Sequence, residues 1–247
     1  MLVLQSLLIK ERSMPPPIPP SAPENFPLFL RLDGRPCLVV GGDQMAFDKI
    51  QALLSTQAQL TVVAPELTAE LFQLVQLGQV HWIQSPFQPT HLEGQWLVVC
   101  TLTDPIFLET LYQQTCQRKI FLNVVDQPRY CTAFWPATLK RPPITLAFSS
   151  SGQSPALMGY LRRRLNAWLP ENFGELATWL GQWRQRISSQ LPNLETKAKF
   201  WRDLLEAGLI ETFFSENQEA ADQQVQAALK KMHISHTVPS NQHKNSP

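Results

Sequence analysis

The sequence predicts an α/β fold: a doubly wound parallel sheet in the first half, then a short strand pair and a helical second half. Three observations predict it. Between residues 36 and 125, short apolar runs alternate with helical stretches, the signature of strands crossing over through helices. The runs are apolar on both faces, as strands covered from both sides must be. After Ser154 the apolar period becomes helical and stays so.

The predicted strands cover 37–40, 60–64, 80–83, 96–101 and 120–125, with helices over 44–55, 67–77 and 105–117 between them. Two further strands fit 133–139 and 144–149, joined by a Lys-Arg-Pro-Pro turn at 140–143. Ser154 is a good N-cap and Pro155 suits the first helical position. That helix runs to about residue 169. Others fit 171–190, 194–207 (ended by Gly208) and 216–231, the last opened by a Ser215/Gln218 capping box,. Residues 1–24 read as a proline-rich, poorly ordered arm, since 15–23 hold six of the 21 prolines,. Residues 233–247 read as a polar, flexible tail,.

Composition narrows the function. Of 247 residues, 44% are hydrophobic, enough for a real core,. A net charge of +1 argues against a uniformly basic nucleic-acid binder,. Four cysteines at 37, 100, 116 and 131 form no CxxC pair, and no histidine lies between 92 and 232. Neither a disulfide scaffold nor a resident metal site is predicted. No apolar run reaches the ~18 residues of a membrane span. The opening MLVLQSLLIK lacks a leading positive charge and a cleavage site, so a cytoplasmic location is expected,.

The chemistry-bearing residues fall at strand ends. LVVGGDQMA (38–46) is a strand, a tight turn and a helix start. Dinucleotide turns want G-x-G-x-x-G/A: a turning glycine, a second that admits the pyrophosphate, and a small third residue. Gly41 fills the first place and Ala46 the third. Asp43, an acid, stands in the second, and Gly42 is an added glycine. The second strand ends in Pro65 and Glu66, where a carboxylate can accept from ribose hydroxyls; a plain surface loop fits equally well. The fifth strand ends at Asp126, with Asn123 the other polar residue in that run. Ligands of open α/β sheets lie beyond such strand ends, so Asp126 is a candidate general base; a turn-capping Asp is the plainer alternative.

Charge is concentrated near that aspartate. Residues 118–164 carry eight Lys and Arg against Asp126 alone, a net +7, leaving −6 on the rest of the chain. A basic surface in a near-neutral protein suits an anionic ligand. The same segment holds SSSGQSP (149–155), a hydroxyl-rich loop leading into a helix N-terminus,.

Together, PLFLRLDGRPCLVVGG (27–42), LTVVAPE (60–66), NVVD (123–126), SSSGQSP (149–155) and the Leu-Pro at 169–170 resemble the precorrin-2 dehydrogenase/sirohydrochlorin ferrochelatase family, the dehydrogenase–chelatase module of siroheme synthases. The resemblance covers about residues 26–232. It implies a homodimer with a Rossmann-like NAD-binding domain (25–135), a small strand-rich dimerisation region (136–167) and a helical C-terminal domain (168–232). It implies NAD-dependent oxidation of precorrin-2, a tetrapyrrole with eight carboxylates, to sirohydrochlorin. Many members then insert Fe²⁺, a substrate of that step. By resemblance the essential aspartate is Asp126. NAD would lie against Gly41, Gly42, Asp43, Gln44, Met45, Pro65, Glu66, Thr103 and Asp104. The tetrapyrrole would lie against Asn123, Ser149, Ser150, Ser151, Gly152 and Ser154. Departures from the family pattern, at Asp43 and Leu102, fall on the nucleotide side. Two rival functions follow: a tetrapyrrole chelatase or carrier that has lost NAD binding, and a non-catalytic nucleotide-binding regulatory module. Neither a membrane nor a nucleic acid is an expected partner.

Overall fold

The computed structural model describes residues 25–215 and 217–237. The predicted arm 1–24 and residues 238–247 lie outside them. The chain divides into two compact units between Trp135 and Pro136.

The first unit holds β1 (Pro36–Val40), α1 (Gln44–Leu54), β2 (Gln59–Val63), α2 (Ala69–Gln76), β3 (His81–Ile83), β4 (Leu97–Cys100), α3 (Pro105–Arg118) and β5 (Phe121–Val124). The five strands pair in parallel in the order β3-β2-β1-β4-β5. Strand order reverses between β1 and β4, the place where such sheets open a crevice. Successive side chains of a strand point to opposite faces. Cys37, Val39, Leu60, Val62, Leu97 and Val99 therefore pack with Ala46 and Ile50 of α1 and Leu71 of α2. Leu38, Val40, Val98, Cys100, Leu122 and Val124 pack with Leu108 and Leu111 of α3. Each fully buried aliphatic side chain here contributes roughly 1.5–3 kcal/mol.

Three side chains start the helices. Asp43 accepts from Ala46 N ahead of α1, Thr68 from Leu71 N ahead of α2, and Asp104 from Ile106 N ahead of α3, as N-caps do.

The second unit holds an antiparallel hairpin, β6 (Ala137–Arg141) and β7 (Ile144–Phe148). Helices α4 (Pro155–Trp168), α5 (Phe173–Arg186), α6 (Leu194–Glu206), α7 (Leu209–Ser215) and α8 (Gln218–Thr237) follow. Strand β6 begins later than the sequence pattern predicts, because residues 132 and 133 bond instead to Leu122 O, along the free edge of β5. The capping box at Ser215 does not form. Ser215 closes α7, its hydroxyl donating to Glu211 O, and Asn217 accepts from Ala220 N to start α8. Helix α8 continues through residues 233–237, which the sequence pattern places in the tail.

The core of α5–α8 gathers Leu176, Trp179, Trp183, Phe200, Leu204, Leu209 and Val225. Both indoles donate to one oxygen: Trp179 Nε1 to Asp222 Oδ1 at 2.9 Å and Trp183 Nε1 to the same atom at 2.6 Å. Asp222→Ala leaves two buried N–H groups unpaired, each costing about 1–3 kcal/mol. Chemical denaturation followed by tryptophan emission should show a loss of about 2–4 kcal/mol.

Candidate functional site

A cleft of about 910 Å³ opens at the carboxyl ends of β1, β2 and β4. Gly41, Gly42, Asp43, Pro65, Glu66, Thr103 and Asp104 line it. The two glycines are demanded by the packing. Gly41 has φ +126°, and a Cβ there would sit 2.1 Å from Thr101 Oγ1; a Cβ on Gly42 would sit 2.0 Å from Glu66 O. Asp43 is not a hole in the motif but the N-cap of α1, its Oδ1 accepting from Ala46 N at 2.9 Å. Phe47 N bonds Asp43 O. This leaves the amides of Gln44 and Met45 as the first-turn donors that a helix cannot satisfy internally. Their side chains do not line the cleft: Gln44 Nε2 donates to Asp48 and Met45 is 40% exposed. Asp104 spends its carboxylate on Ile106 N.

The cleft also uses residues that sequence reasoning passes over. Phe87 and Phe107 meet edge to face, centroids 5.4 Å apart, and form one wall. Thr101 is 7% exposed beside Gly41, and its Oγ1 has no hydrogen-bond partner among the described residues. A glycine cradle and open first-turn amides fit a dinucleotide diphosphate.

Asp126 follows β5, two strands from the glycine turn. It is exposed and holds φ +57°, the left-handed region. Lys49 of α1 faces it, half-buried with its Nζ 4.7 Å from the Trp135 ring centroid. Burial pushes the Lys49 ammonium below its usual range, opposed chiefly by the nearby charge of Asp126, then Asp48 and Cys131. Asn123 is buried, its Nδ2 donating to Ala133 O at 2.9 Å, so its amide holds the loop behind Asp126.

In the second unit, the serine loop closes on itself. Ser149 Oγ accepts from Ser151 N at 3.0 Å and Ser150 Oγ from Ser154 N at 2.9 Å. Ser154 occupies the N-cap position of α4 without a side-chain cap bond. Ser151 and Gly152 take consecutive left-handed conformations (φ +53° and +79°), which turn the chain into the helix. The basic residues divide by role. Arg141 binds Pro170 O, Lys140 O, Asn166 Oδ1 and Leu169 O, tying the hairpin to the end of α4. Arg118 binds Gln114 O and Arg129 stacks on Tyr130. Arg162, Arg163 and Arg164 stay exposed.

Comparison with known proteins decides between families. A family model described as "Putative NAD(P)-binding" matches residues 28–137, and one described as "Sirohaem synthase dimerisation region" matches 172–229. The chain is 37% identical over 204 residues to siroheme synthase 3 of Aeromonas hydrophila subsp. hydrophila, covering 83% of this chain and 44% of that protein. It is 38% identical over 176 residues to a siroheme synthase of Photorhabdus laumondii subsp. laumondii, covering 71% and 37%. The chain resembles siroheme synthases across both matched regions. It spans less than half the length of these siroheme synthases. A solved structure titled SirC, precorrin-2 dehydrogenase, shares the fold, with TM-score 0.62, 22% identity, and coverage of 83% of this chain and 100% of that one.

Within the siroheme synthase frame, the nucleotide model spans the whole parallel sheet, and the dimerisation model falls on α5–α8. The hairpin and α4, where the sequence resemblance set the dimerisation region, lie between the two matches. The Asp43 cap has a measurable consequence. Asp43→Gly costs the helix only a few tenths of a kcal/mol, since glycine is a tolerated N-cap. It also removes a negative charge from the anion pole of α1. NAD titration followed by tryptophan emission should show tighter binding, and weaker binding would show that the carboxylate helps to hold the nucleotide.

Proposed function

We propose that this chain oxidises precorrin-2 to sirohydrochlorin with NAD, and that the same aspartate serves Fe²⁺ insertion as a second reaction. The observation that carries the reading is one sheet end bearing both a dinucleotide cradle at Gly41–Gly42 and an exposed carboxylate at Asp126.

NAD, when bound, supplies a hydride acceptor. The chain's own residues do the rest. The Gly41–Gly42 turn lets the backbone reach the diphosphate, and the first-turn amides of α1 donate to it. Glu66 accepts from ribose hydroxyls and the Phe87–Phe107 wall excludes water. Asp126 takes the proton released as the hydride departs, the work of a general base. In metal insertion it takes pyrrole N–H protons as Fe²⁺ enters. The exposed arginines of α4 and the hydroxyls of the Ser149–Ser154 loop suit the many carboxylates of the macrocycle.

The chain acts as a homodimer in this reading, supported by the matched dimerisation region and by α4, which buries none of its residues in a single chain. No helix among the described residues is long and apolar enough to cross a membrane. We place the protein in the cytoplasm, where its four unpaired cysteines stay reduced,.

The test is direct. Purified protein given precorrin-2 and NAD should generate NADH absorbance and the spectrum of sirohydrochlorin. The negative charge of Asp43 at the cleft, with Leu102 beside it, favours one second reading, a chelatase without NAD binding. Absence of NADH with sirohydrochlorin still bound would select it.

A further inference from the structure

Strand β5 is the last in the sheet, so the outward backbone groups of Leu122 and Val124 have no strand to pair with. Residues 131–133 fold back to serve them. Leu122 O accepts from Thr132 N at 2.8 Å and Ala133 N at 2.9 Å, and Leu122 N donates to Thr132 Oγ1 at 2.8 Å. At Val124 the partner is a sulfur. Val124 N donates to Cys131 Sγ at 3.2 Å, and the thiol stands 3.2 Å from Val124 O and 3.5 Å from Gln127 O. A thiol has one proton, so it donates to one of these carbonyls at a time. The two carbonyls flank Asp126, one two residues before it and one immediately after.

Between those flanks Asp126 holds φ +57°, a left-handed conformation uncommon among non-glycine residues and one that aspartate tolerates better than most,. Cys131 is half-buried and Cys131 N bonds Pro128 O, so the sulfur is itself held by the 3-10 turn Pro128–Tyr130. We propose that Cys131 is the positioning residue for Asp126: its thiol clasps both sides of the turn and thereby aims the carboxylate. Lys49 of α1, seated over Trp135, sets a positive charge near the Asp126 carboxylate. The inference rests on the reading of Asp126 as the proton acceptor. It adds a residue that touches neither substrate nor cofactor and acts through the backbone.

The experiment uses the full chain, its Cys131→Ala variant and its Cys131→Ser variant, with two readouts. Hydrogen exchange by mass spectrometry does not depend on activity. The peptide spanning 122–131 should exchange at least tenfold faster in the alanine variant and to an intermediate degree in the serine variant. Peptides from α1 and β1 should be unchanged. In steady-state kinetics the alanine variant should lose at least tenfold in kcat with the KM for NAD unchanged, and serine should restore part of the loss. Equal exchange in all three proteins would overturn the clasp. So would uniform acceleration across every peptide in both variants, which marks a general structural role. An active wild type matched by an equally active alanine variant would overturn the positioning role. A wild type that makes no NADH would instead sink the proposed function, and exchange would still decide the clasp.

Discussion

Asp126→Asn is expected to reduce NADH production from precorrin-2 by at least 100-fold while tetrapyrrole binding persists. Positioned general acid–base groups contribute about 10²–10⁴ in rate, and Asp126 is the carboxylate at the end of β5. Asparagine is the right substitution because it accepts a left-handed backbone nearly as readily as aspartate does. The φ of +57° is kept and only the charge is lost. Asp126→Ala removes the charge and strains the turn as well, so it should be the weaker enzyme of the two. Initial rates under saturating NAD, with a parallel titration of tetrapyrrole absorbance, measure both quantities. Unchanged turnover in the asparagine variant would remove Asp126 from the chemistry.

Gly42→Ala is expected to damage both stability and cofactor binding. The new Cβ would lie 2.0 Å from Glu66 O and 3.0 Å from the Ala64 side chain. The nearer neighbour is backbone, anchored at the end of β2, so the turn itself must move. Overpacking of this kind costs about 1–3 kcal/mol, and a displaced turn no longer presents its amides to a diphosphate. A lower Tm together with at least tenfold weaker NAD binding is the expected result. Gly181→Ala is the control, since nothing lies within 4 Å of its Cβ and alanine favours a helix,. A Gly42→Ala protein that binds NAD normally would mean the nucleotide does not use this turn.

The parallel sheet was legible because its strands are short, β-branched and covered on both sides, a pattern no amphipathic helix produces. The three helices that cross between the strands were legible from their apolar periods, but their caps Asp43, Thr68 and Asp104 were not, and the predicted second helix began at 67, ahead of Thr68. The first of them misleads when matched against a glycine template: Asp43 reads as a missing glycine until its side chain is seen capping α1. Residues 133–135 look like the start of a strand, yet Thr132 and Ala133 serve the edge of β5, a long-range choice that no local propensity records. Cys131 could not be found because a sulfur replacing a strand partner leaves no period or spacing. Lys49 hides in the ordinary amphipathic pattern of α1, and its half-burial depends on where Trp135 comes to rest. Helix α7 escaped notice because Leu209–Ser215 is too short to show a period.

Helix α4 carries Leu157, Tyr160, Leu161 and Trp168 on its surface, 36–71% exposed in the single chain. If two copies cover each other's oily stripe, resistance to heat becomes a property of the sample and not of the molecule. A tenfold more dilute solution should melt at a lower temperature, and the hairpin with α4 should loosen before the nucleotide sheet does.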